Sequence, residues 1–461
     1  MHRTSLLLLS LLIASGCASP PSLDAPAHAV IGVHDEQLEA RYWIERAPRA
    51  TQLVLDRAAI AAHNDRLQRS DPSLHDLEAL PTQLARVQIQ GWIEDLSQRP
   101  TRTLYDERGT AIPEATLDAL VAALDVAAIP QQRPTAYGMV VRRADLRTFP
   151  TRLRVFHTPG DTDIDRFQEN ALFPGTPVVI AHESRDGQWW FVVSPLYAAW
   201  IEKQYVAQGS AQEVFAYGRK TPYLIVTGST ARTVFTREQP QVSELQLDMG
   251  VRVPVLADWP ADRTVNGQHP YAAHVVELPL RGDDGSLRFA PALIPRTADV
   301  ARDYLPLDRA ALLRQSFKFL GERYGWGHSY NARDCSGFVS EVYRSFDVQL
   351  PRNTRDQGTS PALDRIELTA SDSHEMRLAL LRELQIGDLV YIPGHVMMVI
   401  GHRDGVPYVI HDTTGIAYRD AQGAIKRVDL NGVSVTPLTP LVLGDGQPTI
   451  DRIYSIVRIR P

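Results

Sequence analysis

Arg333-Asp334-Cys335-Ser336-Gly337-Phe338-Val339 decides the fold of this chain, because there a glycine-rich loop, Tyr324-Gly325-Trp326-Gly327-His328, runs into an amphipathic helix that begins on a thiol. Cys335, Phe338, Val339, Val342, Tyr343 and Phe346 recur at helical spacing and form one apolar face. Cys335 therefore falls in the first turn. Free backbone N–H groups and the helix dipole favour an anion there, and the thiolate is the attacking form of cysteine. The position is expected to lower the ordinary thiol pKa of ~8.5. Position alone leaves a second reading open, since a lone cysteine on an apolar helix face also serves as a small inert hydrophobe.

A thiol hydrolase needs a base within hydrogen-bond reach and an orienting group behind it. Asp388 to Pro393 reads as one strand, Gly394 to Gly401 as the next and Tyr408 to His411 as a third, with turn residues between them. His395 opens a strand and His411 closes one. Pairing those two strands as an antiparallel hairpin brings both imidazoles to one sheet edge. His402 has the opposite side-chain parity and, at ~3.3 Å per residue, lies about 23 Å further along. A zinc site is disfavoured because His395, His402 and His411 lack tetrahedral-site spacing and no His-Glu-x-x-His occurs.

Six ordered segments, Tyr324-Gly325-Trp326-Gly327, Asp334 to Phe338, Leu350-Pro351-Arg352-Asn353-Thr354, Gly387 to Tyr391, His395 to Gly401, and His411, span roughly 90 residues. Together they resemble the NlpC/p60 family of bacterial cell-wall cysteine peptidases. The resemblance implies a papain-like α+β domain with Cys335 as nucleophile, His395 as general base and His411 as its orienting residue. It also implies that the Cys335 N–H and the Tyr324 hydroxyl face the oxyanion, that Asp334, Ser336, Asn353 and Thr354 meet substrate, and that no cofactor is used.

Length and composition require more than this one domain. The chain has 461 residues, 44% hydrophobic and 22% charged, and its formal charge of −6 gives no support for nucleic-acid binding. His2-Arg3, the apolar run Leu6–Ile13 and Ala14-Ser15-Gly16-Cys17 look like a bacterial lipoprotein signal; the run falls short of the ~20 residues that span a membrane. Cys17 is then the lipidated residue, and Ala18 after it resembles the pattern of lipoproteins sent on to the outer membrane. The expected location is periplasmic and lipid-anchored. Acylation of Cys17 would leave Cys335 as the only thiol in a disulfide-forming compartment.

The expected architecture is multidomain α+β. It comprises a signal over 1–17, a tether over 18–29, a helical N-terminal clamp over 30–130, SH3-like β-barrels over 131–210 and 211–302, and the catalytic domain over 303–461. In the clamp, Leu53, Ile60 and Leu67 fall one heptad apart, and Leu84, Val87 and Ile89 follow Pro81. His63-Asn64-Asp65 reads as a helix surface with a polar junction. From Arg133 the period changes to two, with Thr176–His182, Asp186-Gly187, Trp189–Ser194 and Ala198–Glu202 as strand, turn, strand, strand. Trp189, Trp190 and Trp200 read as barrel core before ligand surface. Arg142, Arg143 and Arg147 read either as carboxylate-binding groups or as a solvated strand face, and His328 as groove-lining or surface.

The family resemblance implies cleavage of the γ-D-glutamyl to meso-diaminopimelate amide of peptidoglycan stem peptides. One departure bears on specificity. Relatives with two SH3-like modules carry an aspartate where this chain has Asn353, and that aspartate holds the free amine of an N-terminal L-alanine. A neutral amide supplies no countercharge, which favours stems still attached to glycan over released peptides. Competing readings are a recycling endopeptidase for free stems, an amidase or acyltransferase on the same Cys/His site, and a non-enzymatic wall-binding lipoprotein.

Overall fold

The computed structural model describes residues 30–460. Cys17, the signal and the tether lie outside the described residues, and so does the reading of a lipid anchor. Among the described residues, no helix is long and apolar enough to cross a membrane.

The catalytic domain is a curved antiparallel sheet against two helices. Asp308 accepts from the Ala311 N–H at 2.7 Å and caps the helix Arg309–Phe317, which packs beside the helix Cys335–Arg344. The sheet runs in the order Asp364–Glu367, Ser455–Arg458, Leu389–Ile392, His395–Arg403, Val406–Arg419, Ile425–Pro437. The last strand, Ser455–Arg458, thus lies inside the sheet, hydrogen-bonded on both sides. Phe338, Val339, Val342 and Phe346 pack with Val396, Met398, Ile410 and Val433 in one core, which confirms the helix face read from sequence. The His395 and His411 strands pair antiparallel, with Met398 opposite Ile410. His411 therefore faces Met397 and lies diagonal to His395, a same-face relation across neighbouring strands. The strands carry on beyond His411 to Arg419 and back from Ile425, a long arm that short apolar runs did not announce.

The first barrel orders its strands Val206–Gly209, Ala136–Val140, Pro177–Glu183, Trp189–Val193, Ala198–Glu202, Ala144–Arg147, Gln168–Leu172. Gly187 sits in the left-handed region, at φ +69°, in the Asp-Gly turn. Trp189, Trp190 and Trp200 are buried, so they are core. Arg147 is neither a substrate contact nor a solvated face: it is buried against Asp165 at 2.6 Å and also donates to Gln168, Thr151 and Leu153. The second all-β unit contains Tyr223–Val226, Arg252–Pro254 and the hairpin Ala273–Arg281 with Leu287–Pro295, turned at Gly285.

Residues 30–130 contain four α-helices, but they supply no core of their own. Trp43, Ile60 and Leu67 belong to the catalytic core. Leu84, Ile89, Ile93, Leu117 and Leu120 belong to the first barrel's core. Two expectations fail here. Leu53 is half-exposed on a short strand paired with Leu307–Asp308 rather than on the helix Arg57–Ser70, and Val87 is exposed. Periodicity overshot the Asp56 cap, whose carboxylate takes the Ala59 N–H at 2.8 Å and starts the helix after Leu53. His63 and Asn64 form the polar junction, bonding Gln349 and Asp347 of the catalytic domain.

Candidate active site

Cys335 opens its helix, and the preceding Asp334 caps it by accepting from the Gly337 N–H at 2.8 Å. The thiol is buried and meets the backbone N–H of Val396, the residue after His395. The Cys335 thiol thus meets the strand at the residue that follows His395. His395 Nε2 lies 2.8 Å from His411 Nδ1, and His411 Nε2 lies 3.0 Å from Thr436 Oγ1. His395 Nδ1 has no hydrogen-bond partner among the described residues. Thr436 anchors the far side of the pair; it sits in a strand without a motif of its own and was not legible in the sequence.

The electrostatics reverse one sequence expectation. Burial, then the Asp334 carboxylate, pushes the Cys335 thiol up to about 12, against the Val396 N–H and Arg352. Burial holds His395 down to about 4, and burial with the adjacent His395 holds His411 well below the ordinary imidazole range. The helix N-terminus does not yield a resting thiolate here, because loss of hydration outweighs it. The resting pair is a neutral thiol beside a neutral imidazole.

Tyr324 is buried, and its hydroxyl makes no hydrogen bond within the described residues. Burial, then the neighbouring Cys335, Asp334 and Asp412, keeps its phenol protonated and able to donate. Asp334 and Ser336 are held inside the protein. Arg352 donates to both Asp334 oxygens, at 3.2 and 2.7 Å, to Ser336 Oγ at 2.8 Å and to His328 Nδ1 at 2.9 Å. Burial alone would raise the Asp334 carboxyl, yet Arg352 and His328 hold it at about 2. His328 is therefore neither groove-lining nor surface: it is buried between Arg352 and Glu341. Arg143 likewise is no solvated face; it holds Asn331 and Ala332, in the loop that precedes Cys335.

Asn353 and Thr354 begin the short helix Thr354–Thr359. The Asn353 amide bonds Asp356 at 3.0 Å and also meets the Tyr197 hydroxyl. Tyr197 donates to Glu169 Oε2 at 2.5 Å, and Thr148 donates to Glu169 Oε1 at 2.5 Å. A carboxylate from the first barrel thus stands in the corner that the sequence reading took to lack countercharge. That premise is corrected. Glu169 and Tyr197 are not legible in the sequence, because they lie over 150 residues upstream on another domain and reach this corner only in the folded chain, where the neighbouring Asn170 accepts from Arg352 at 2.5 Å.

Residues 321–433 match the NlpC/P60 family, and residues 154–202 match the SH3 domain of the SH3b1 type. A gamma-D-glutamyl-L-lysine dipeptidyl-peptidase of Bacillus cereus (strain ATCC 10987 / NRS 248) is 27% identical over 181 residues, 38% of this chain and 48% of that protein. The chain spans about half the length of that curated relative. An NlpC/P60 endopeptidase from Photobacterium damselae subsp. piscicida has a similar fold, with TM-score 0.71 and 15% identity over 90% of this chain and 96% of that one. An NlpC/P60 family protein from Bacillus cereus ATCC 10987 is 20% identical over 70% of this chain and all of that one, with TM-score 0.47. Fold and site define a multidomain α+β protein whose C-terminal domain has NlpC-type architecture. The chain carries an NlpC/P60 family domain and an SH3b domain.

Proposed function

We propose that this protein is a cysteine endopeptidase that cleaves the γ-D-glutamyl to diamino-acid bond of peptidoglycan stem peptides. The observation that carries the reading is the Cys335 thiol beside Val396, one residue from a His395 already oriented by His411. Because the resting pair is neutral, His395 Nδ1 takes the thiol proton as Sγ attacks the carbonyl carbon. The Cys335 N–H and the protonated Tyr324 hydroxyl face the developing oxyanion. The C–N bond breaks, His395 returns the proton to the leaving amine, and water hydrolyses the thioester.

Asn353 taken alone favours stems still attached to glycan. Glu169 beside Tyr197 and Asn353 favours the second reading, released stems with a free L-alanine amine, because a carboxylate can pair with an ammonium there. The relative's name, a dipeptidyl-peptidase, agrees with that preference. The test is mass spectrometry of products from intact sacculi and from free L-Ala-γ-D-Glu-diaminopimelate. Wild type is expected to release L-Ala-γ-D-Glu from the free peptide faster, and Cys335→Ala to release none. Cleavage at muramoyl-L-alanine, or full activity in Cys335→Ala, would overturn the reading.

A further inference from the structure

Past His395 the site opens into a cavity of roughly 580 Å³ that Cys335, Tyr324 and Asn353 do not line. His395 and His411 stand at one end of it. The long arm Val406–Arg419 with Ile425–Pro437 forms its floor, and Asp161–Ile164 of the first barrel forms a wall. The volume falls in the ~300–1,000 Å³ range of small-molecule sites. Asp163 is already committed, to Arg323 at 2.7 Å and Asn431 at 2.9 Å.

Three other charges line it: Asp161, which accepts only the Asp163 N–H at 3.4 Å, and Arg427 and Asp429. The Arg427 guanidinium donates to the Gly444 carbonyl at 2.9 Å and has no carboxylate partner among the described residues. Asp429 has neither a hydrogen-bond nor an ion-pair partner among the described residues. They are two residues apart on one strand and so share a face.

We propose that this cavity receives the residue on the leaving side of the scissile amide, and that Arg427 with Asp429 selects a side chain ending in both a carboxylate and an ammonium over one ending in an ammonium alone. The inference rests on the endopeptidase reading above. For His395 to protonate the leaving nitrogen, that nitrogen must lie within hydrogen-bond reach of its ring. The atoms that follow then enter the space His395 lines. A diamino diacid gives Arg427 a carboxylate and Asp429 an ammonium; lysine satisfies only Asp429 and leaves the guanidinium unpaired. Charge-assisted pairs of this kind, partly exposed, support a preference of roughly tenfold.

The experiment measures kcat/KM of the full chain on L-Ala-γ-D-Glu-meso-diaminopimelate and L-Ala-γ-D-Glu-L-lysine. Wild type is expected to prefer the first by about tenfold, Arg427→Ala to bring the two within about twofold, and Asp429→Asn to weaken both. Arg427→Gln, which keeps a donor for Gly444, should lose the preference in the same way and so separates charge from folding. Equal rates for the two substrates in wild type, or an unchanged ratio in both Arg427 variants, would overturn the subsite while leaving the endopeptidase reading intact. If wild type cleaves neither peptide nor sacculi, the endopeptidase reading fails and the subsite fails with it.

Discussion

Asp412 follows His411, is fully buried, and has no hydrogen-bond partner on either oxygen. Burial, then the Asp334 and Glu322 carboxylates, pushes it well above the ordinary carboxyl range despite Arg333. Its charge also raises the Cys335 thiol. The sign follows from linkage. A carboxyl raised in the folded state costs nothing below its unfolded pKa of ~3.9, and destabilises progressively as pH rises from there toward the folded value. Asp412→Asn is therefore expected to stabilise the protein by more than about 1 kcal/mol at pH 7, with the gain vanishing near pH 3.5. Urea denaturation at the two pH values checks this, and equal gains at both would refute it. Cys335 and His395 were legible in the sequence because motif and strand parity mark them. Asp412 was not: only its surroundings make it costly.

At the scale of elements, the helix Cys335–Arg344 depends on its cap, and the cap depends on Arg352. That guanidinium joins Asp334 and Ser336 at the helix start to His328 in the approach loop and to Asn170 of the barrel strand Gln168–Leu172. Removing it would leave the Asp334 carboxylate buried without its countercharge. Arg352→Ala is expected to cost about 3–5 kcal/mol of stability, read by chemical denaturation; a loss under about 1 kcal/mol would show that the network is incidental. The helix itself was readable from its apolar spacing, and the hairpin from its turn residues. The Leu-Pro-Arg-Asn-Thr segment was readable as a motif, yet its arginine acts through contacts with three distant segments.

At the scale of the molecule, the catalytic domain is not self-contained. Trp43, Ile60 and Leu67 fill its core, the Tyr408 hydroxyl bonds the Gly32 carbonyl, and buried Arg333 holds Asp248 of the second β unit at 2.8 Å together with Glu322 and Glu341. Residues 303–461 expressed alone would expose those apolar positions and leave Arg333 without Asp248. That fragment is expected to lack a cooperative thermal transition in calorimetry, whereas residues 30–460 show one; a sharp transition in the fragment would refute the shared core. Local information alone determined the helix Cys335–Arg344, the His395–His411 hairpin and the first barrel, because period, turn chemistry and motif spacing act within a few residues. Tertiary structure alone decided that the thiol rests protonated, that Glu169 stands beside Asn353, and that His328 and Arg147 are buried. Those outcomes depend on desolvation and on contacts between separate segments, over 150 positions apart for Glu169 and Asn353, and neither is written in any short stretch of chain.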